Sequence, residues 1–174
     1  MTTHASTRIA WATTDLCDER EDLLESGELQ VVQGQWLCLG ARLAFAGQVR
    51  LASAFEDNSI VASALQEPGN GAVLVVDAGG SLRRAMLGGN LARTAAANGW
   101  AGVVVHGAVR DAQEIEGAAI GVRALGLCPR RSIKRGQGQR DRTVTFCGVT
   151  IAPGAWLYAD RDGILVSSRS LTRG

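Results

Sequence analysis

Two wholly apolar stretches, Ala72 to Val76 and Gly102 to Val105, flank the glycine- and alanine-rich segment AGGSLRRAMLGGNLARTAAANG at 78–99. Strands with apolar side chains at consecutive positions are covered on both faces, and the alanine spacing between them predicts a helix broken at Gly88 and Gly89. Strand, glycine loop, helix, strand is a βαβ crossover over 72–106, so Val73 to Val76 and Val103 to Val105 are predicted to lie parallel in one sheet. The chain is thereby committed to the α/β class. Ligands of such units gather where the strands end, which places Asp77 to Ser81 and His106 to Asp111 at one rim.

The flanking segments fit around that unit. Thr14, Asp15 and Asp18 with Leu16, Leu23 and Leu24 predict a capped amphipathic helix that Gly27 ends. Short and alternating apolar stretches from Leu29 to Ala54 predict half-buried strands. Asn58, preceded by Glu56 and Asp57, caps a short helix running to about Gln66, and Pro68 to Gly71 forms a turn. The C-terminal part, 144–167, reads as strands separated by turns at Pro153-Gly154 and Asp162-Gly163. One domain spanning 1–174 is expected, with 1–13 as a frayed tail.

Composition removes several chemistries. With 174 residues, 46% hydrophobic and 20% charged, the chain can form its own core without staples. Eighteen basic against 17 acidic residues give a net charge of +1, so a dedicated nucleic-acid binder is not expected. His4 and His106 are the only histidines, and His4 lies in the tail, which leaves too little for a histidine-rich zinc site or a Ser/His/Asp triad. His106 is expected as a satisfied core histidine. Lys134, the only lysine, sits in a polar run rather than the apolar pocket that a Schiff-base lysine needs. Cys17, Cys38, Cys128 and Cys147 show no C-x-x-C spacing and read as small core residues of a reducing compartment. Trp11, Trp36, Trp100 and Trp156 read as core or subunit-contact anchors. No apolar run is long enough for a bilayer, and the opening residues lack the order of a signal peptide, so a cytoplasmic location is expected.

Arg110 and Asp111 stand together at the end of a buried strand. A bend there can direct both side chains into one pocket. A planar guanidinium can hold a carboxylate bidentately and stabilise a developing oxyanion. An adjacent Asp suits Mg²⁺ or Mn²⁺, hard ions that keep several waters. Gly88 to Leu91 (Gly88, Gly89, Asn90, Leu91) precede a helix and can offer backbone N–H groups to an anion. Arg130, Arg131, Lys134, Arg135, Arg140 and Arg142 form a basic run without interleaved aromatics, which reads as a solvated loop.

The stretches FEDNS (55–59), GGSLRRAMLGGNLA (79–92), NGWAGVVVHGAVRD (98–111), PRRSIKRGQGQRD (129–141) and VTFCGVTIAPGAWLYADRDGILVS (144–167) resemble the RraA-like family. That family joins regulators of ribonuclease E activity to metal-dependent 4-hydroxy-4-methyl-2-oxoglutarate aldolases. The resemblance implies a swivelling β/β/α sandwich assembled as a homotrimer with a pocket between subunits. It also implies a carbon–carbon lyase of the class II pyruvate aldolase type, with Arg110 on substrate and Asp111 on the metal. Oxaloacetate decarboxylation proceeds through the same enolate. The alternative is a non-enzymatic protein that binds ribonuclease E or an associated RNA helicase. A quinone methyltransferase, a name also attached to relatives, is disfavoured because no glycine loop is followed by a ribose-binding acidic residue.

In the family the position of Gly89 is usually Asp, a carboxylate tied to proton transfer, so its absence implies that decarboxylation exceeds aldol cleavage. Restoring it by Gly89→Asp is expected to raise aldolase turnover. Glu56 and Asp57 are the substitute candidates for proton transfer, with helix capping as their plainer role.

Overall fold

The computed structural model describes residues 10–172. In chain order the elements are α1 (Thr13–Glu19), α2 (Glu21–Ser26), β1 (Leu29–Val31), β2 (Leu37–Leu39), β3 (Phe45–Ser53), α3 (Ser59–Gln66) and β4 (Val73–Asp77). Then come β5 (Ala85–Leu87), α4 (Gly89–Ala97), β6 (Gly102–Val109), α5 (Ala112–Glu116) and β7 (Gly121–Leu127). The chain closes with β8 (Gln139–Arg140), β9 (Val144–Phe146), β10 (Val149–Ile151), β11 (Trp156–Ala159) and β12 (Ile164–Ser167).

One sheet runs in the order β1-β12-β11-β3-β4-β6-β7-β2, with β5 added beside β6 and β8 beside β3. β4 and β6 are parallel and pair Val73 with Gly102 through Asp77 with His106, as the crossover predicts. Their side chains alternate between two cores. Leu74, Val76, Val103 and Val105 face the helices, packing with Leu65, Met86 and Ile115. Val73, Val75 and Val104 face the other way, against Phe45, Leu51, Phe146 and Leu157. This mixed α/β layering is why the two central strands carry no polar interruption.

Phe45 shows how tightly the second core is closed. A β-carbon on Gly102 or Gly121 would stand only 2.9 and 2.8 Å from its ring Cγ. Only glycine permits that approach. Arg123, buried with 1% of its surface exposed, lies over the same ring at 5.1 Å and donates to the carbonyls of Val122, Leu43 and Asp160. An arginine inside a strand of this core was not foreseen.

Several local expectations are corrected. Residues 1–9, with His4, lie outside the described residues, but Trp11 and Thr13 are docked rather than frayed. Trp11 meets Tyr158 edge-on at 5.3 Å, and the Thr13 N–H and hydroxyl each donate to the Asp160 carboxylate at 2.7 Å. The first predicted helix is two, broken at Arg20, and Gly27 ends the second in the left-handed conformation. Ala85 to Leu87 is a strand, not helix, because β4 ends at Asp77 and leaves the far half of β6 open for pairing. The cysteines are not core residues: Cys17, Cys128 and Cys147 are half-buried and Cys38 is exposed. Of the tryptophans only Trp100 is fully buried. No described helix is long and apolar enough to cross a membrane.

The segment 130–137 is not a free loop. The Ala85 N–H donates to the Arg130 carbonyl at 2.8 Å, the Ser132 hydroxyl donates to the Ala85 carbonyl at 2.7 Å, and the Ile133 N–H donates to the Glu56 carbonyl at 2.9 Å. Asp57 completes the attachment. It accepts from the Ser59 N–H and hydroxyl at 2.9 and 2.6 Å, and from the N–H groups of Arg135 and Gln137 at 2.8 and 3.2 Å. Asn58 holds the N-cap position of α3 without a side-chain cap bond, and Asp57, one residue earlier, supplies the bond to the Ser59 N–H. Burial pushes its carboxyl up, but these hydrogen bonds outweigh burial and hold its pKa at about 2.

Because the folded pKa lies below the ordinary 3.8, the ionised Asp57 contributes stability above that value, lost as pH falls towards about 2. Asp57→Ala is expected to cost about 1–2 kcal/mol at pH 7. In urea denaturation the gap between variant and wild type should narrow as pH falls through that interval; a gap independent of pH would contradict this role.

Candidate active site

β6 ends at Val109, and the next two residues carry the side chains of interest. Asp111 adopts φ 59 and ψ 47, the left-handed region, at the start of α5. Asp tolerates this conformation better than most residues with a β-carbon. The turn interrupts strand alternation, so that Arg110 and Asp111 both line one cavity of about 240 Å³. Each side chain is 39% exposed, with Arg110 Nε 3.6 Å from Asp111 Oδ2. Arg110's terminal amino groups have no partner among the described residues, which leaves them available for a ligand carboxylate.

The glycine segment closes the same cavity through Gly88, Asn90 and Leu91, while Gly89 does not line it. The Gly89 N–H instead donates to Asp111 Oδ2 at 3.1 Å. The first free donor of α4 is thus spent on orienting the aspartate, leaving Asp111 Oδ1 without a protein partner. The Asn90 side-chain carbonyl accepts from Arg93. A β-carbon on Gly88 would stand 2.7 Å from Asp111 Oδ2, so that glycine is a requirement of the close approach.

Gly89 has a different cause. A β-carbon there would meet Glu114, at 2.6 Å from its Cβ and 2.9 Å from its Cδ. Glu114 is held by Arg93 at 2.7 Å. Restoring a carboxylate by Gly89→Asp therefore collides with Glu114 of α5, which would have to shift to admit it.

The substitute proton-transfer candidates are also corrected. Glu56 accepts from Ser81 and Arg83 at 2.6 and 2.7 Å, and these bonds hold its carboxyl below the usual range. Asp57 is spent on capping and on the 130–137 segment. Neither lines the cavity. His106 is a satisfied histidine facing the other side of β6, with Nδ1 2.9 Å from Asp77 Oδ1 and its ring stacked on Phe146 at 4.3 Å. The hydrogen bond from His106 lowers the Asp77 carboxyl. The rim predicted to unite 77–81 with 106–111 does exist, since Ala78 and Gly80 donate to the His106 carbonyl. The cavity nonetheless opens on the helix side of that rim.

Sequence reasoning missed Ser132, read Asn58 only as a helix cap, and gave Arg131 and Lys134 only a solvated role. Ser132 and Lys134 are two apart in an extended stretch and so share a face, a signal available in the sequence. Arg140, also read as solvated, pairs with Glu67 at 3.1 Å. A larger cleft of about 760 Å³ opens between 31–38 and 160–164. Of its charged groups, Arg123 donates to carbonyls and the Asp160 carboxylate accepts from Thr13, Asp162 and Gly163, whereas Arg161 and Asp162 line it as exposed residues.

A metal at the smaller cavity can be judged from its donors. No cluster of three or more His, Cys, Asp or Glu exists among the described residues. One carboxylate with an unshared oxygen fits Mg²⁺ or Mn²⁺ completed by water and substrate oxygens. The residues present fit such an ion.

Comparison with known proteins gives one family. A protein of Burkholderia multivorans named "Putative 4-hydroxy-4-methyl-2-oxoglutarate aldolase" is 54% identical over 164 residues, covering 94% of this chain and all of the relative. One from Alkalilimnicola ehrlichii with the same name is 53% identical over 161 residues, covering 92% and 97%. Among solved structures, the RNA-processing inhibitor RraA from Thermus thermophilus superimposes with a TM-score of 0.86 at 45% identity, covering 95% of this chain and 99% of that one. A structure named as an S-adenosylmethionine:2-dimethylmenaquinone methyltransferase, from Geobacillus kaustophilus, also gives 0.86, at 43% identity over 94% of this chain and 100% of that one. The family model described as RraA-like (Aldolase/RraA) matches residues 13–166, and the chain belongs to that family.

Proposed function

We propose that the cavity at the end of β6 is the active site of a divalent-metal-dependent lyase acting on small 2-oxo acids. It cleaves 4-hydroxy-4-methyl-2-oxoglutarate, decarboxylates oxaloacetate, or does both, with pyruvate as product. The observation that carries this reading is Arg110 and Asp111 brought side by side by one left-handed residue. Arg110 takes the substrate carboxylate on its free amino groups and stabilises charge that develops on the neighbouring keto oxygen as the C3–C4 bond breaks. Asp111 Oδ1 would hold Mg²⁺ or Mn²⁺, whose contribution when bound is Lewis-acid polarisation of the keto group. Gly89 fixes Asp111 from behind through its N–H, and Gly88 gives the carboxylate room.

In decarboxylation the electron pair of the C3–C4 bond passes to the enolate as CO₂ leaves, and no hydroxyl proton need be removed. Aldol cleavage requires a base for the substrate's 4-hydroxyl. Asp111, the cavity's one carboxylate, is committed to the metal in this reading, so the reaction without that demand is favoured. The homotrimer implied by the resemblance belongs to this proposal as well, and Phe55, Leu82 and Leu127 are exposed apolar side chains that such an assembly can bury.

A second reading, a protein that binds ribonuclease E or a partner helicase, is supported by the likeness to the Thermus thermophilus inhibitor. Against it, part of the basic run it would use is already committed: Arg131 and Lys134 line the cavity and Arg140 pairs with Glu67.

Three outcomes are expected. In a pyruvate-release assay with Mg²⁺ or Mn²⁺, oxaloacetate turnover exceeds aldolase turnover. Asp111→Asn, which keeps a residue tolerant of the left-handed backbone, lowers both about 10²-fold or more. Aldolase turnover equal to or above decarboxylation would contradict the mechanism, and no metal-dependent turnover above the spontaneous background would favour the binding protein. Gly89→Asp is expected to cost about 1–3 kcal/mol in thermal or urea unfolding without raising turnover. Adding Glu114→Gly, which removes the Cβ as well as the carboxylate, should recover part of that stability; a fully stable single variant with raised aldolase activity would show that α5 yields freely.

A further inference from the structure

The cleft of about 760 Å³ between 31–38 and 160–164 plays no part in the lyase reading. Its volume lies within the ~300–1,000 Å³ over which small-molecule sites range. Val31 and Leu37, 47% and 37% exposed, give it an apolar wall, and the exposed Arg161 and Asp162 line it as neighbours in the chain. Arg123, 1% exposed, lines it as well. The terminal nitrogens of Arg123 donate to three carbonyls, whereas its buried Nε–H has no acceptor among the described residues. A buried donor left unpaired is costly, more so on a charged group, so a ligand acceptor that reaches Arg123 is favoured.

Cys38 lines the same cleft from β2. It stands directly opposite Arg123 in the antiparallel ladder, which puts their β-carbons about 5 Å apart on one face of the sheet. β2 is an end strand, so its far edge is unpaired, and Cys38 is the one exposed cysteine of the four. Its thiol has a single partner among the described residues, the Trp36 carbonyl at 3.9 Å. Burial, reinforced by nearby carboxylates, pushes the Cys17 and Cys147 thiols up. Thiols that react selectively are accessible and stand beside cations, whereas enclosed ones are inert.

We propose that Cys38 is a site of reversible S-thiolation by small disulfides that carry amino-acid groups, with this cleft as their docking site. Arg161 takes a carboxylate of the ligand, Asp162 its ammonium group, and the Arg123 Nε–H a ligand oxygen. The Cys38 sulfur, as thiolate, attacks one sulfur of the incoming disulfide. A new S–S bond forms as the old one breaks, and the bonding pair leaves on the second half as a thiolate, which takes up the proton that Cys38 released. Cys38 is oxidised to the disulfide level and the departing half is reduced to a thiol, so the incoming disulfide is itself the oxidant. Excess thiol runs the exchange backwards. Nothing in this site depends on the cavity at the end of β6.

The test exposes the full chain to glutathione disulfide, which carries such groups, and to bis(2-hydroxyethyl) disulfide, which carries none, with N-acetylcysteine as the reference thiol. Intact mass and peptide mapping follow the adduct. Glutathione is expected on Cys38 ahead of the other cysteines, absent in Cys38→Ser and released by dithiothreitol. Relative to the reference thiol, Cys38 should favour glutathione disulfide over the neutral reagent by about fivefold or more, the scale of one or two exposed ion pairs. Arg161→Ala should lower that preference several-fold while leaving the rate with the neutral reagent unchanged, and Arg142→Ala, an exposed cation outside the cleft, should leave the preference intact. A preference no greater than that of the reference thiol, one unaltered by Arg161→Ala, or first reaction at Cys17, Cys128 or Cys147 would overturn the inference.

Discussion

In an uninterrupted strand Arg110 and Asp111 would face opposite sides of the sheet, one towards the helices and the other towards the second core. The left-handed backbone at Asp111 turns both towards one cavity, and the surrounding structure is arranged to keep it there. β6, buried between β4 and β7, fixes where the turn begins. The Gly89 N–H holds one oxygen of Asp111, and the absence of a side chain at Gly88 leaves room for it. A residue of this conformation stores about 1 kcal/mol or more of strain, which the packed strand and α5 offset.

The sequence made the centre of the fold legible because that centre is dictated by patterning. Consecutive valines in β4 and β6 have one stable environment, a parallel sheet covered on both faces, and the rim holding Arg110 and Asp111 follows from it. The family likewise followed from long ordered motifs. What escaped was set by contacts distant in sequence. Nothing local says that Asp57 reaches Arg135 and Gln137 across nearly eighty residues, or that Ala85 to Leu87 pairs with the end of β6 instead of joining α4. Arg123 reads as a strand-surface cation and is one of the most buried large side chains, because carbonyls of two loops meet its guanidinium.

Gly89 shows how one residue can be read correctly as a departure and wrongly as a vacancy. The resemblance implied a carboxylate at this position, and the chain has glycine. In the folded molecule that volume is taken by Glu114, tethered to Arg93. The same lesson applies to the basic run. Charge density suggested a solvated surface, but hydrogen bonding to β5 fixes the segment so that Arg131 and Lys134, both still exposed, border the cavity. Proteins of very similar fold carry the names aldolase, RNA-processing inhibitor and methyltransferase, so function here rests on the side chains of this cavity rather than on the fold.

The most direct measurement is a crystal structure with Mn²⁺ and oxalate, a stable stand-in for pyruvate enolate, read by anomalous scattering from the metal. The account predicts one Mn²⁺ at about 2.1 Å from Asp111 Oδ1, completed by water and oxalate oxygens, with the oxalate carboxylate on the amino groups of Arg110. Mn²⁺ bound elsewhere, or oxalate bound without touching Arg110, would contradict it.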